Sequence, residues 1–327
     1  MRIPRINALL CIAASVGLSL FAGAVPAQQA YPAKPIRFVV PYATGGSTTN
    51  VARLIGQRLS ESWGQPVIID NVPGANTMIG TAIVAKAPAD GYTILLGVSS
   101  HVLIPQLVTA PYDAVKDFTP IASVGATETV MVLSPGSPAK NLREFIALAK
   151  TKPGALNYST GGAGSATHLA SELFNNRAGV KLRHIPYKGA VPALVDLAGG
   201  QVDMSFAIPG SAITLINGGK LKAIAVTGEK RLSALPDVPT FAEEGMPGFE
   251  MKQWYGVIAP ANLPKDIANK LGAELSRIAA TAEFKEKLAA LGMDSYVVTT
   301  DQLGTVMRSE ASKFAKIIKD ANIKVDQ

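Results

Sequence analysis

Val39-Val40-Pro41-Tyr42-Ala43-Thr44-Gly45-Gly46-Ser47-Thr48-Thr49-Asn50-Val51-Ala52-Arg53 decides the fold. An apolar β-branched run stops at Pro41, and two glycines permit a turn without a Cβ penalty. Ser47, Thr48, Thr49 and Asn50 are N-cap candidates before Val51, Leu54 and Ile55 take up helical spacing. The segment reads as strand, turn and helix start. The first turn of a helix carries unpaired N–H groups and the positive dipole end, so this corner offers an anion a ring of donors without formal charge. A carboxylate or phosphate fits it; read alone, so does an ordinary capped turn.

Outward from this corner, β-branched runs alternate with helical patterns. Ile36–Val40, Val67–Asp70 and Thr93–Gly97 read as buried strands, and Thr48–Ser62, Ala75–Ala87 and Val102–Val108 as helices. That order predicts a parallel sheet covered by helices. Beyond Pro111-Tyr112-Asp113, Ile121–Leu133 reads as one long strand, and a second series follows. Its helices are expected at Leu142–Lys150, Ala166–Arg177 and Val191–Ala198, and its strands at Leu156–Ser159, Leu182–Ile185, Met204–Ala207 and Ala223–Thr227. A strand-like Gln253–Ala259 leads to helices Lys265–Ala279, Glu283–Leu291 and Gln302–Ala321. Two series joined by two long passages predict a chain that leaves one α/β domain, builds a second and returns, with a hinge and a cleft between them. The expected division is residues 28–127 with 251–327 for the first domain and 128–250 for the second.

The second series has its own glycine-hydroxyl corner, Tyr158-Ser159-Thr160-Gly161-Gly162-Ala163-Gly164-Ser165-Ala166-Thr167-His168-Leu169. In open α/β sheets ligands lie beyond the carboxyl ends of the strands, so the two corners are expected to face each other across the cleft. Four to six hydrogen bonds to a charged group, at about 1.5–3 kcal/mol each, reach the roughly −8 kcal/mol of a micromolar ligand after the costs of association. Ser99-Ser100-His101 is a third donor-bearing turn, equally suited to a helix cap. Tyr187-Lys188-Gly189 borders the same cleft: Lys188 reads as a solvated rim charge and Gly189 as a backbone donor. Trp254 and Tyr255 read either as an aromatic wall or as hinge packing.

Other chemistry is poorly served. Gly161 to Gly164 lacks a P-loop lysine, and no Gly-x-Ser-x-Gly elbow is complete. His101, His168 and His184 have no metal spacing, so neither metal nor cofactor is expected. His101 and His168 are expected to orient their loops, and His184 to pack. Met1 to Ala27 reads as a secretory leader with basic Arg2 and Arg5, an apolar Ala8–Ala22 core and small residues at Val25-Pro26-Ala27. Cys11, the single cysteine, lies within it, preceded by Leu10 rather than the small residue of a lipoprotein acceptor. A mature chain starting near Gln28 then has no disulfide or thiol chemistry. Its charge falls from +7 to about +5 without Arg2 and Arg5, with basic residues scattered, so nucleic acid is not implied. The expected compartment is a bacterial periplasm.

The chain also resembles a known family, the periplasmic solute-binding proteins of tripartite tricarboxylate transporters, of Bug/TctC type. Carrying the resemblance are Tyr31-Pro32-x-Lys34-Pro35-Ile36, the Pro41–Arg53 corner, Asp70-Asn71-x-Pro73-Gly74-Ala75, Ala87-Pro88-Ala89-Asp90-Gly91-Tyr92-Thr93 and Lys116-Asp117-Phe118-Thr119-Pro120-Ile121. Further on come Gly164-Ser165-x-x-His168-Leu169, Pro186-Tyr187-Lys188-Gly189, Leu235-Pro236-Asp237-Val238-Pro239-Thr240 and Trp254-Tyr255-Gly256. The resemblance implies a type II periplasmic binding fold that closes on a small carboxylate and delivers it to a membrane permease, without catalysis. By position it implies ligand contacts at Tyr42, Thr48 and Thr49, at Ser99 and Ser100, and at Thr160, Gly161, Gly164, Ser165 and His168. Tyr187 and Gly189 border the pocket, and Ala207 and Ile208 match its edge.

Two departures bear on the ligand. The family commonly has Asp where this chain has Thr49, and Asp-Asn where it has Ala207-Ile208. Losing acidic groups that suit an amine points to a dicarboxylate or an aromatic carboxylate rather than an amino acid. The expected partners are that acid and the permease subunits, with the receptor a monomer. Ser165→Ala or Thr48→Ala is expected to weaken binding with little change in melting temperature. The rival readings are a sensor presenting its ligand-bound form to a membrane kinase, and a secreted hydrolase using Ser99 or Ser165 with a nearby histidine.

Overall fold

The computed structural model describes residues 31–320 and Ile323; the expected leader lies outside them. The first β-branched run forms β1 (Ile36–Val40), which pairs in parallel with β2 (Val67–Asn71) and β3 (Thr93–Val98). Between β1 and β2 runs α1 (Ser47–Trp63), whose Val51, Leu54, Ile55 and Leu59 are buried at helical spacing and whose end is set by left-handed Gly64. α2 (Met78–Ala85) follows β2, and the short α3 (Ser100–Leu103) with a 3-10 turn at Ile104–Gln106 follows β3.

Ile121–Leu133, expected as one strand, is two. β4 (Phe118–Glu128) belongs to the first sheet and β5 (Val130–Leu133) to a second, with Thr129 between them. Both halves are β-branched and buried, so nothing in their composition marks where the chain changes sheets. The second unit holds α4 (Leu142–Thr151), β6 (Asn157–Thr160), α5 (Ala166–Ala178), β7 (Arg183–Pro186), α6 (Ala190–Ala198), β8 (Met204–Ala207), α7 (Pro209–Asn217) and β9 (Lys222–Val226). The chain returns through β10 (Lys252–Pro260) to α8 (Lys265–Ala280), α9 (Ala282–Ala290), β11 (Asp294–Val298) and α10 (Thr300–Asp320). The sequence pattern predicts neither α7 nor β11. Pro209-Gly210 at the start of α7 reads as a breaker but sits at its first turn, where a missing N–H costs nothing.

The two sheets are ordered β11-β4-β10-β3-β1-β2 and β7-β6-β8-β5-β9. Each is parallel within its βα series and antiparallel at the strand carrying the chain between units: β10 against β3 and β4, β5 against β8 and β9. The crossings run side by side, Lys252 opposite Glu128. Thr227 ties them together, its hydroxyl accepting from Thr129 N at 3.0 Å and lying 3.3 Å from Glu128 Oε2 and 3.4 Å from Met251 O. One core cluster runs through this junction, from stacked Phe206, Phe241 and Phe249 to Trp254 and to Met307 and Phe314 of α10. No described helix is long and apolar enough to cross a membrane.

Candidate functional site

α1 begins on Gly46, which has no side chain to cap it, and no side-chain cap bond is made there. The hydroxyls that read as caps do other things. Ser47 Oγ lies 3.3 Å from Tyr255 Oη, which also accepts from Gln253 Nε2 at 2.6 Å. Thr49, fully buried, accepts from Asn71 Nδ2 at 2.9 Å and donates to Ala43 O at 3.5 Å; the same Asn71 amide also donates to Tyr42 O. Asn71 thus stitches the corner from the next strand, while the first N–H groups of α1 have no side-chain cap. Of the three hydroxyls only that of Thr48 has no bond within the described chain.

Tyr42 Oη is hydrogen-bonded to Ser100 Oγ, and burial holds the Tyr42 phenol well above its ordinary range. Tyr42 and Ser100 line a narrow crevice with Thr77 and Thr81 that has no room for a water-sized body, so a dicarboxylate enters it only if its walls move. Ser99 turns the other way. Its Oγ donates to Lys252 O at 3.1 Å and accepts from Trp254 N at 3.3 Å, so it anchors the returning strand. Beside it, Trp254 Nε1 donates to Glu310 Oε2 at 2.6 Å; burial pushes this carboxyl up to about 7 despite that bond and the nearby Lys313 and Lys252. His101 is buried, with Nε2 donating to Ala114 O at 2.8 Å. Burial pulls its ring down to about 4 against the opposing effect of that bond.

The second corner is capped where the first is open. Ser165 Oγ accepts from His168 N at 3.2 Å and starts α5. Gly164 N donates to His168 Nδ1 at 3.1 Å, and the His168 ring stacks on His184 at 4.1 Å, which stacks on Tyr158 at 4.9 Å. Fully buried Thr160 holds His184 Nε2 at 2.7 Å. This column supports the glycine loop from beneath. Burial lowers both histidines to about 4, with His184 adding to the shift at His168. Thr160 and His168 therefore shape the loop, and the backbone of Gly161 to Gly164 forms its outer surface. Gly189 N donates to Gly161 O at 3.1 Å, bringing the 187–190 segment against the corner. The Tyr187 ring leaves it, donating from Oη to Asp196 Oδ2 at 2.6 Å.

The units meet along these corners. A Cβ built on Gly164 would lie 3.5 Å from Leu107 Cδ1 and 3.9 Å from Asn76 Nδ2, so the second corner faces the first unit. Ala207 and Ile208 are buried at the end of β8, and the Pro209-Gly210 turn after them packs on Leu291-Gly292 and beside Ser47 of the first corner. The structure thus brings Tyr42, Ser100 and both glycine turns to one interface, with Thr48 at the open end of α1. It turns Ser99 and the Tyr187 ring away from that interface and engages the Thr49 hydroxyl with Ala43 and Asn71 and the Thr160 hydroxyl with Gly162 and His184. Asn71, Asn76, Thr77 and the start of α7 are the parts the sequence reading missed; the positive φ of Ala75 and Thr77 has no compositional signal. Neither Ser99 nor Ser165 is hydrogen-bonded to an imidazole nitrogen, and no group of three His, Cys, Asp or Glu that could hold a metal occurs among the described residues.

The pattern of the family described as "Tripartite tricarboxylate transporter family receptor" matches residues 51–323. The chain is similar to the periplasmic binding protein BugD, with 34% identity, a TM-score of 0.83 and coverage of 90% of this chain and 99% of that one. An R. palustris protein solved with adipate is 33% identical with a TM-score of 0.86, covering 90% of this chain and 99% of its own. MatC from Rhodopseudomonas palustris, solved with bound malate, is 31% identical with a TM-score of 0.80, covering 88% and 100%.

Proposed function

The chain belongs to the tripartite tricarboxylate transporter receptor family, and on that premise we propose that it is a periplasmic solute-binding receptor that captures a small dicarboxylate or aromatic carboxylate between two lobes for delivery to the membrane components of such a transporter. The lobes are residues 28–127 with 251–327, and 128–250. The reading includes no catalytic step. It rests above all on one observation: the α1 amino terminus opens at Gly46 without a side-chain cap, beside Thr48. Unpaired N–H groups at a helix start favour a negative guest. The Tyr42, Ser100 and glycine-loop groups around it are neutral, so they can solvate a carboxylate by hydrogen bonding without leaving a buried charge unpaired. Bound adipate and malate in two similar proteins support the ligand class.

Thr49 and the Ala207-Ile208 pair offer no carboxylate to an ammonium group. Calorimetric titration with adipate, malate, succinate, citrate, terephthalate and aspartate tests the proposal. Binding of a dicarboxylate or terephthalate with aspartate excluded is the expected outcome. Tight binding of aspartate alone, or of none of these acids, overturns it.

A further inference from the structure

Between β2 and α2 the backbone does something L-residues avoid. Gly74, Ala75, Asn76 and Thr77 all have positive φ, at 127°, 44°, 51° and 77°. Glycine adopts this region freely and asparagine tolerates it, whereas alanine and especially β-branched threonine do so only when the surroundings force them. The surroundings here are specific. Val72 N pairs with Val40 O at 2.9 Å, extending the β1–β2 ladder, and a Cβ on Gly80 would lie 2.6 Å from Val72 O and 3.1 Å from the Pro41 Cα. α2 is therefore pressed against the strand end that opens the first corner, and the four residues between must coil tightly. Strained backbone held this way is characteristic of ligand clamps.

The turn faces both halves of the cleft. Thr77 is only 7% exposed and lines the narrow space beside Tyr42 and Ser100; its Oγ1 lies next to the buried Tyr112 hydroxyl, and neither atom makes a well-formed hydrogen bond among the described residues. Exposed Asn76 reaches the opposite lobe: its Oδ1 lies 3.9 Å from where a Gly162 Cβ would be, and its Nδ2 is equally close to that position on Gly164. We propose that the Gly74–Thr77 turn is a third wall of the carboxylate site, with Thr77 supplying a hydroxyl on the first-corner side and Asn76 closing over the second corner as a specificity-determining amide donor. This rests on the receptor reading above. A carboxamide donates to a carboxylate; a carboxylate in its place repels one. The chemistry predicts a site that rejects acids when Asn76 becomes Asp while keeping its shape.

The test is calorimetric titration of adipate and malate into the parent chain and the Asn76→Asp, Asn76→Gly and Thr77→Val variants, with melting temperatures of the empty proteins. Glycine suits a φ of 51°, so Asn76→Gly removes the amide without disturbing the turn, and valine keeps the shape of Thr77. Asn76→Asp is expected to weaken binding of whichever acid the parent takes by at least about tenfold, and Asn76→Gly and Thr77→Val by about tenfold each, as for loss of one hydrogen bond to a charged group. Folded Asn76 variants with affinity within about twofold of the parent overturn the proposal for Asn76, and an unchanged Thr77→Val does so for Thr77. If those variants are unchanged while Thr48→Val is weakened, the receptor reading stands and the third wall falls. A parent that takes neither these acids nor the wider panel removes both.

Discussion

Thr48→Val separates ligand binding from fold more cleanly than any other change at the first corner. Ser47 is engaged with Tyr255 and Thr49 with Ala43 and Asn71, so removing either hydroxyl disturbs the protein itself. Thr48 has no such bond and is 7% exposed, so valine fills nearly the same volume and leaves no partner unsatisfied. Loss of an unbonded, mostly buried hydroxyl is close to neutral for stability. If that hydroxyl donates to a bound carboxylate, its removal costs about 1.5–3 kcal/mol, or roughly ten- to hundredfold in Kd. Titration of malate and adipate into parent and variant measures that term, and thermal melting of the empty proteins measures the other. Unchanged affinity would remove Thr48 from the site. A fall in melting temperature as large as the loss in binding would show instead that the hydroxyl is structural.

Ser165→Ala behaves differently from the sequence-based expectation: because Ser165 caps α5 through His168 N, it lowers stability by about 1 kcal/mol, visible in melting of the empty protein, as well as weakening carboxylate binding. Gly210→Ala puts a methyl 2.4 Å from Leu291 O across the lobes, so it weakens malate or adipate binding and blocks any ligand-induced compaction seen by small-angle scattering; unaltered affinity and compaction would contradict the interface. His101, His168 and His184, ordinarily near 6.5 and held at about 4, are neutral in the fold and charge more readily when unfolded. Their contribution is present above pH 6.5 and lost as pH falls through 4, and melting temperature followed over that window tests it. Glu310 has the opposite sign: raised from 4.5 to about 7, it favours the fold below pH 4.5 and loses that contribution as pH rises through 7. Glu310→Gln, which can still accept from Trp254, therefore raises the melting temperature at pH 8 relative to pH 4; an equal effect at both pH values would refute the assignment.

The corners were legible because their physics is local. A β-branched run, a glycine pair and hydroxyls before a helical repeat can be read in sequence, and both glycine corners follow strands as expected. What each hydroxyl does was not legible. Ser47, Thr48 and Thr49 look equivalent as caps, yet their partners Tyr255 and Asn71 come from strands far along the chain. Likewise His184, read as packing, is the middle ring of a column whose other members arrive from β6 and α5. The helical propensity of Ala75 extends the expected helix over 75–77; the close approach of Gly80 to Pro41 overrides that propensity. The sheet change at Thr129 was hidden for a related reason, since β4 and β5 are both buried and composition does not distinguish two sheets.

On the receptor reading, the contacts across the proposed lobes set what a guest must supply to close them. Asn76 over Gly162 and Gly164, and Pro209-Gly210 on Leu291-Gly292, are neutral contacts, and Ser233 Oγ reaches Asp294 Oδ1 only at 3.4 Å. Among the described residues the one ion pair joining the two parts is Lys252–Glu128 at 3.8 Å, and it lies in the paired crossings rather than across the cleft, so ion pairing gives a closed form little advantage over an open one. Moving a population from one part in a hundred closed to one part in a hundred open takes about 5.5 kcal/mol of differential affinity. At about 1.5–3 kcal/mol for each bond to a charged group, two to four bonds made only in the closed form supply it. Bonds to a single lobe do not count, because they form equally well when the cleft is open. On that reading an acid long enough to reach both the Gly46 end of α1 and the Gly161–Gly164 loop is expected to close the receptor, whereas a shorter one held by one corner is expected to bind without closing it.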